Sequence, residues 1–257
     1  MRKLFHLLAL IIAVTAHAQN DATYKVPPKD IYDLVMAPPT PSVSIDSKGE
    51  WMIIMERNSL PSVEELAQPE LRIAGLRLNP SNFSPSRTNY YANLQLKNIH
   101  TGKIIAIEGL PQPLMAGNVQ WNPQENRIAF TQTSNERVDL YIIDIATRQC
   151  RKINQSALNT VIPPAYSWID PSKIFYKAVP TNYRKLPTPP PAPKGPVIQE
   201  NQGKTAASRT YQDLIRNSYD EDLFDYMATA QVVVNDLISE KALLPPAIYK
   251  SVDLSPD

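Results

Sequence analysis

Three stretches of the chain share one order of apolar and polar positions: an apolar or aromatic residue, a short polar turn, then a β-rich run. The first is Ile45-Asp46-Ser47-Lys48-Gly49-Glu50-Trp51-Met52-Ile53-Ile54, and the others occupy residues 121–130 and 168–176. A fourth, Leu254-Ser255-Pro256-Asp257, stops inside its turn. Apolar runs joined by a polar turn predict β-hairpins. A second pattern follows each of the first three. Leu96-Lys97-Asn98-Ile99-His100-Thr101-Gly102-Lys103 matches residues 142–149 and, more loosely, 233–240. Two hairpins per unit make a four-stranded antiparallel blade, and repeated blades make a propeller. The expected fold is all-β: a partial β-propeller of about three four-stranded blades plus the start of a fourth.

Spacing supports the repeat and exposes two inserts. The hairpins are anchored at residues 45, 121, 168 and 254, so the intervals are 76, 47 and 86. A blade takes roughly 40–50 residues. The long intervals exceed the middle one by 76 − 47 = 29 and 86 − 47 = 39 residues, and both excesses fall between the two hairpins of a blade. The inserts are expected near 57–89 and 179–223, the second with short helices at residues 211–216 and 222–227. Proline, at 25 residues against 7 glycines, clusters at 37–41 and 187–193 as extended connectors. A β-sandwich with coincidental turns is the rival architecture, but it does not account for two aligned hairpin patterns.

The first residues point to export. Arg2 and Lys3 precede an apolar run from Leu4 to Val14, and Ala16-His17-Ala18 is a small-x-small motif, so residues 1–18 read as a signal peptide cleaved between Ala18 and Gln19. The run is shorter than the roughly 20 residues of a membrane-spanning helix. The expected location is periplasmic or secreted, with no membrane contact after cleavage. Residues 19–257 keep 24 of the 26 basic side chains and all 25 acidic ones, a formal charge of 24 − 25 = −1. That balance provides no electrostatic footprint for nucleic acid. Cys150 is the single cysteine, so no intrachain disulfide forms and stability rests on buried apolar surface.

Residue types bearing chemistry are sparse. After residue 18 the only histidine is His100, at a turn position filled by Ala146 in the next unit, which argues against a role as catalytic base. His100 and Cys150 are too few for a transition-metal site of His and Cys ligands. The seven glycines form neither G-x-S-x-G nor a phosphate-binding loop. The acid runs Glu64-Glu65 and Asp220-Glu221-Asp222 read as solvated charges. Asn82-Phe83-Ser84 and Asn154-Gln155-Ser156 fit the glycosylation sequon, a pattern common by chance. Cys150 reads as a small buried residue. No catalytic, cofactor-binding or metal-ligating residue is assigned.

Several long motifs resemble the propeller of prolyl oligopeptidase-family serine peptidases, most closely the glutamyl endopeptidase branch. They include Pro27-Pro28-Lys29-Asp30-Ile31 with residues 37–43, and Met55-Glu56-Arg57-Asn58-Ser59-Leu60-Pro61 continuing to Arg72. Residues 195–201 leading into 209–214, and Tyr219-Asp220-Glu221-Asp222-Leu223-Phe224-Asp225-Tyr226, complete the set. The resemblance implies a second part, an α/β-hydrolase domain bearing serine, aspartate and histidine, with the propeller restricting access by size. Nothing in this chain matches the hydrolase domain, so no triad residue carries over. A preference for glutamate implies a cation; Arg57, Arg72, Arg77 and Arg209 stand in the inserts, and none is singled out.

The ending inside a turn, and the roughly 315 residues that seven blades of about 45 would need, lead to the expectation of an incomplete N-terminal propeller, residues 19–257, without its hydrolase domain. The functional expectation is a non-catalytic propeller fragment of an exported serine endopeptidase, whose full-length form takes peptide substrates. The alternative is a stand-alone periplasmic propeller binding a protein or polysaccharide partner.

Overall fold

The computed structural model describes residues 25–181, 185–191, 203 and 212–253. The signal-like segment, the cleavage point, Arg209 and the fourth hairpin at 254–257 lie outside them. The chain divides into two compact units, residues 1–37 and 38–257. In the first, helix α1 (Lys29–Met36) begins at Pro28, whose carbonyl accepts from the amides of Ile31 and Tyr32 at 3.0 Å each. Lys29 and Asp33, one turn apart, form an ion pair. All residues of this helix are exposed, among them Ile31, Leu34 and Val35.

The second unit carries the three expected blades. Strands β1 (Ser42–Ile45), β2 (Trp51–Glu56), β6 (Asn93–Asn98) and β7 (Ile104–Ala106) form blade 1. Blade 2 contains β8 (Ala116–Trp121), β9 (Arg127–Thr133), β10 (Val138–Asp144) and β11 (Cys150–Lys152). Blade 3 contains β12 (Tyr166–Asp170), β13 (Lys173–Ala178), β14 (Thr229–Asn235) and β15 (Glu240–Ala242), and a short β16 (Ala247–Ile248) pairs with the start of β14. Neighbouring strands within each blade are antiparallel. The two aligned hairpin patterns are therefore real structural repeats, and the sandwich alternative falls.

The turns show why the repeat is legible. In the first hairpin of blade 1 the Asp46 carboxylate accepts from the amides of Glu50 and Trp51, at 2.8 and 3.1 Å. In blade 2 the Asn122 side-chain oxygen accepts from Asn126 and Arg127, at 3.0 and 2.9 Å. In the second hairpins Asn98, Asp144 and Asp236 each accept from the amide three residues on, that of Thr101, Thr147 or Ser239. A side-chain oxygen that substitutes for a backbone acceptor pre-forms the turn. The third of these aligns on Asp236, one residue later than the sequence match of 233–240 to 96–103 implied, because the Asx oxygen, not the preceding apolar pair, fixes the register.

Successive turns also grip one another. Glu125 of blade 2 accepts from the backbone amide of Ser47 of blade 1 at 3.0 Å, and Asn122 donates to the carbonyl of Pro171 of blade 3 at 3.0 Å. Behind this row the blades pack face to face. Ile53, Leu94 and Leu96 meet Ile128, Phe130 and Ile143 between blades 1 and 2. Ala129, Leu140 and Ile142 meet Tyr166, Ile174 and Tyr176 between blades 2 and 3. The opposite face of blade 1 leaves Val43, Ile45 and Ile104 about half exposed, whereas Phe175 and Val232, on the face of blade 3 turned away from blade 2, are buried.

Both inserts lie where spacing placed them, with unforeseen contents. The first holds a short helix α2 (Val63–Leu66) and a three-stranded sheet of β3 (Leu71–Ile73), β4 (Leu76–Asn79) and β5 (Ser84–Pro85). The second ends in α3 (Ser218–Ala228), which covers the expected helix at 222–227 and is capped by the Asn217 side chain. The helix expected at 211–216 is absent from its described part, 212–216. Asp213 there has φ +58° and its carbonyl accepts from the Gly75 amide at 3.1 Å, so the chain turns to meet the first insert rather than coiling. The inserts share an apolar cluster: Ile73 and Leu78 of one, Leu223 and Met227 of the other, with Val161 between blades 2 and 3. The rings of Phe83 and Tyr226 pack across it, 5.5 Å between centroids.

Candidate functional site

The first insert leans over the ends of the blade 2 strands and leaves a groove with three connected lobes. Residues Thr88, Asn89 and Tyr90 line all three and form the ridge between them. One lobe, of about 320 Å³, lies against Glu70, Asn82, Arg87 and the Thr133–Asn135 end of blade 2. A small one, of about 70 Å³, lies beside Arg57, Glu65 and Leu114. The third, of about 300 Å³, runs inward from Arg57 past Asn118 and Thr131 to Thr160 and Pro163. Its floor is a bulge: the β8–β9 register shifts between Gly117 and Gln120, and the Asn118 side chain donates to Thr131 Oγ1 at 3.2 Å.

The arginines of the first insert fall into two kinds. Arg72, Arg77 and Arg87 all converge on Glu70, at 2.9, 3.2 and 2.7 Å, and Ser86 adds a hydroxyl at 2.9 Å. Desolvation pushes the Glu70 carboxyl up, but the Arg72 and Ser86 hydrogen bonds and the Arg87 and Arg77 charges outweigh it and hold its pKa below the usual carboxylate value. Arg57 differs. Its guanidinium carbon lies 4.5 Å from the centroid of the Tyr91 ring, and Nη2 donates to Tyr91 Oη at 3.0 Å. Its Nε is enclosed with no hydrogen-bond partner, and among the described residues no carboxylate pairs with it.

The other residues weighed from sequence are dispersed. His100 is exposed at the tip of the second hairpin turn of blade 1, at the position held by Ala146 and Ile238 in the other blades. Cys150 is buried in β11, and burial pushes its thiol up to about 12. Glu64 accepts from Asn135 at 3.1 Å on the groove rim, and Asp220 accepts from the Arg216 amide at 2.9 Å beside the start of α3. Both sequon asparagines, Asn82 and Asn154, are buried at 3% exposure and committed to hydrogen bonds, which removes them as glycan acceptors in the folded chain. Among the described residues no cluster of three His, Cys, Asp or Glu could hold a metal ion. Sequence patterning missed Glu70 as the hub of three arginines; the alternation Glu70-x-Arg72 with Arg77 on the facing strand was the available signal.

No family model matches the chain. A probable glutamyl endopeptidase of chloroplasts from Oryza sativa subsp. japonica is 30% identical over 249 residues, 91% of this chain and 26% of that protein. Its counterpart from Arabidopsis thaliana is 30% identical over 247 residues, again 91% and 26%. The chain thus spans about a quarter of the length of these curated relatives. Among solved structures, the β-propeller domain of the Trilobed protease from Pyrococcus furiosus overlaps 82% of this chain and 59% of its own at 12% identity, with a TM-score of 0.33. A putative TolB from Agrobacterium tumefaciens overlaps 85% and 71% at 11% identity, with a TM-score of 0.30. In sequence the chain is thus similar, over 91% of its length, to about a quarter of two probable glutamyl endopeptidases, and its own fold carries three four-stranded antiparallel blades.

Proposed function

We propose that this chain is the propeller of an exported serine endopeptidase of the glutamyl endopeptidase kind, admitting peptides to a hydrolase domain rather than cutting them itself. The observation that carries this reading is 30% identity sustained over 91% of the chain. The signal-like residues 1–18 support export. The groove between the first insert and blade 2 supports peptide passage, because a ligand site needs a concave surface with a few convergent polar groups. A gate acts through the geometry of entry, so its effect is on substrate size and not on the chemical step.

The test fuses this chain to the hydrolase domain of a glutamyl endopeptidase and follows two substrates, a short Glu-containing peptide and a folded protein. Labelling by a fluorophosphonate probe reports whether the hydrolase domain is intact. The fusion is expected to cut the peptide and spare the folded protein, while the isolated hydrolase domain loses that distinction. The chain alone is expected to take up no probe. Equal cleavage of both substrates by the fusion overturns the gating role, and a probe-labelled serine in the chain overturns its non-catalytic one.

A further inference from the structure

The hairpin of the first insert sets two arginines directly opposite each other. Arg72 on β3 pairs with Arg77 on β4, one step from a tight turn at Ala74 and Gly75, with φ +52° and +74°. Their neighbours Ile73 and Leu78 are buried in the insert cluster, which leaves both arginines on the outward, exposed face. Arg87 brings a third exposed guanidinium from the segment after β5. Like charges placed opposite on a sheet are destabilising, and exposed ion pairs add little to stability, so folding alone does not account for the gathering. Glu70 is the one carboxylate among the described residues that answers all three. It also takes the Ser86 hydroxyl, and four donors fill the roughly four lone-pair sites of a carboxylate. Each arginine spends one nitrogen on it, Nε of Arg72 and Arg87 and Nη1 of Arg77. Among the described residues no other hydrogen bond or ion pair engages the nitrogens that remain. The cluster therefore keeps 3 − 1 = 2 positive charges in excess.

We propose that the outward face of the Arg72, Arg77 and Arg87 cluster is a phosphate-binding site that takes the dianionic group of a phosphate monoester. Charge and shape both match. Such a group carries about −1.5 to −2 charges at neutral pH and three strong acceptor oxygens, which offsets the excess on the cluster. Guanidinium forks bind phosphate oxygens in pairs, and two forks facing each other across a hairpin can take separate oxygens of one group. The forks are also held in advance. The turn fixes Arg72 against Arg77, Glu70 anchors all three arginines from beneath, and the Gly75 amide ties the turn to the Asp213 carbonyl at 3.1 Å. Side chains ordered before binding lose less entropy on binding. Arg87, Ser86 and Glu70 line the larger lobe of the groove but Arg72 and Arg77 do not, so the site extends beyond the groove. A free phosphate ester and a lipid headgroup present the same chemistry, and neither depends on the peptidase reading.

The test uses the whole chain in a buffer free of phosphate and sulfate, at fixed ionic strength. Its melting temperature is followed against added glycerol phosphate or succinate, a dicarboxylate of the same charge. A ligand that binds the folded chain raises the melting temperature with concentration. Glycerol phosphate is expected to bind roughly tenfold or more tightly than succinate, as charge-assisted hydrogen bonds to a matched group warrant. Given that preference, a further arm distinguishes the sources by spinning the chain down with phosphatidylcholine vesicles, with and without phosphatidic acid. Sedimentation that requires phosphatidic acid assigns the site to a lipid headgroup, and its absence assigns the site to a free ester. Arg72→Gln combined with Arg77→Gln is expected to abolish the preference for phosphate. Arg72→Lys combined with Arg77→Lys keeps the charge, loses the forks and is expected to retain only part of it. The melt without ligand shows whether each variant folds, and the two-ligand comparison on the unaltered chain stands even if neither does. Equal shifts with glycerol phosphate and succinate, or an undiminished preference in the folded Gln variant, overturn the proposal.

Discussion

The phenol of Tyr166, on the first strand of blade 3, donates to the carbonyl of Ala129 on blade 2 across 2.9 Å. The same hydroxyl reaches the carbonyl of Asn118 at the β8 bulge, and the ring is 1% exposed. Burial raises the pKa of Tyr166 well above that of an ordinary tyrosine, so it remains a donor at every physiological pH. Tyr166→Phe keeps the packing but removes the single phenolic proton that these two buried carbonyls share. The expected loss is about 1–3 kcal/mol, the cost of a buried unsatisfied polar group, read by urea unfolding. An unchanged midpoint would show that the contact is incidental to the blade 2–3 interface.

Lys177 is 4% exposed, its ammonium is bound to the carbonyl of Ile162, and among the described residues no carboxylate forms an ion pair with it. Burial pushes its pKa down from 10.5 to about 8. Between those two values the unfolded chain holds a proton that the folded chain has released, so this lysine makes stability rise with pH across that window. Below pH 8 both states are protonated and the penalty of burying the charge is constant. The stability of the unaltered chain relative to Lys177→Met is therefore expected to increase from pH 7 to pH 10, and taking the difference cancels the contributions of other groups. A difference that is flat with pH would remove Lys177 as the cause.

Cys150, raised to about 12 by burial, carries almost no thiolate at neutral pH, and thiolate is the form that alkylates. Iodoacetamide at pH 8 is expected to leave the native chain unmodified and to modify it fully in denaturant, as read by mass spectrometry. Rapid modification of the native chain would mean that blade 2 opens at its outer strand.

Gly109, in the segment leaving blade 1, has φ +80°, and a Cβ placed there would stand 2.5 Å from the carbonyl oxygen of Cys150. This is the approach that lets Glu108 bond to β11 through the Arg148 carbonyl and the Cys150 amide, at 3.0 and 2.7 Å. Gly109→Ala adds both a left-handed-region strain and a backbone clash, and is expected to cost more than about 1 kcal/mol. Gly102→Ala, also at positive φ but with nothing within 4 Å, separates the two causes: its smaller loss should leave the clash as the remainder.

The blades were legible because each hairpin writes its own turn. Asp46, Asn122, Asn98 and Asp144 make local hydrogen bonds within a few residues, and sequence records local chemistry directly. The insert sheet was not, since Leu71–Ile73 and Leu76–Asn79 are short strands whose pairing partners give no periodic signal over three or four residues. The groove was least visible of all. Arg57 looked like any surface arginine in sequence; what distinguishes it from Arg72, Arg77 and Arg87 is the location of Glu70, a matter of tertiary placement. The helix missing from the described residues 212–216 has the same origin: the bond from Gly75 to Asp213 outweighs a local preference.

The mating of the two inserts also sets a timetable. Blade hairpins close over a few residues and assemble early, whereas Phe83 and Tyr226 meet only after most of the intervening chain has been gathered in, the slow kind of contact. The contact between the two inserts, the first of which walls the groove, is thus expected to form among the last and, by the same token, to open among the first when the molecule fluctuates. Amide exchange in the 71–79 strands and in α3 should therefore rise and fall together. An occupant of the groove that steadies the first insert is expected to slow exchange in α3 as well, the two inserts moving as a single hinged piece instead of two independent flaps.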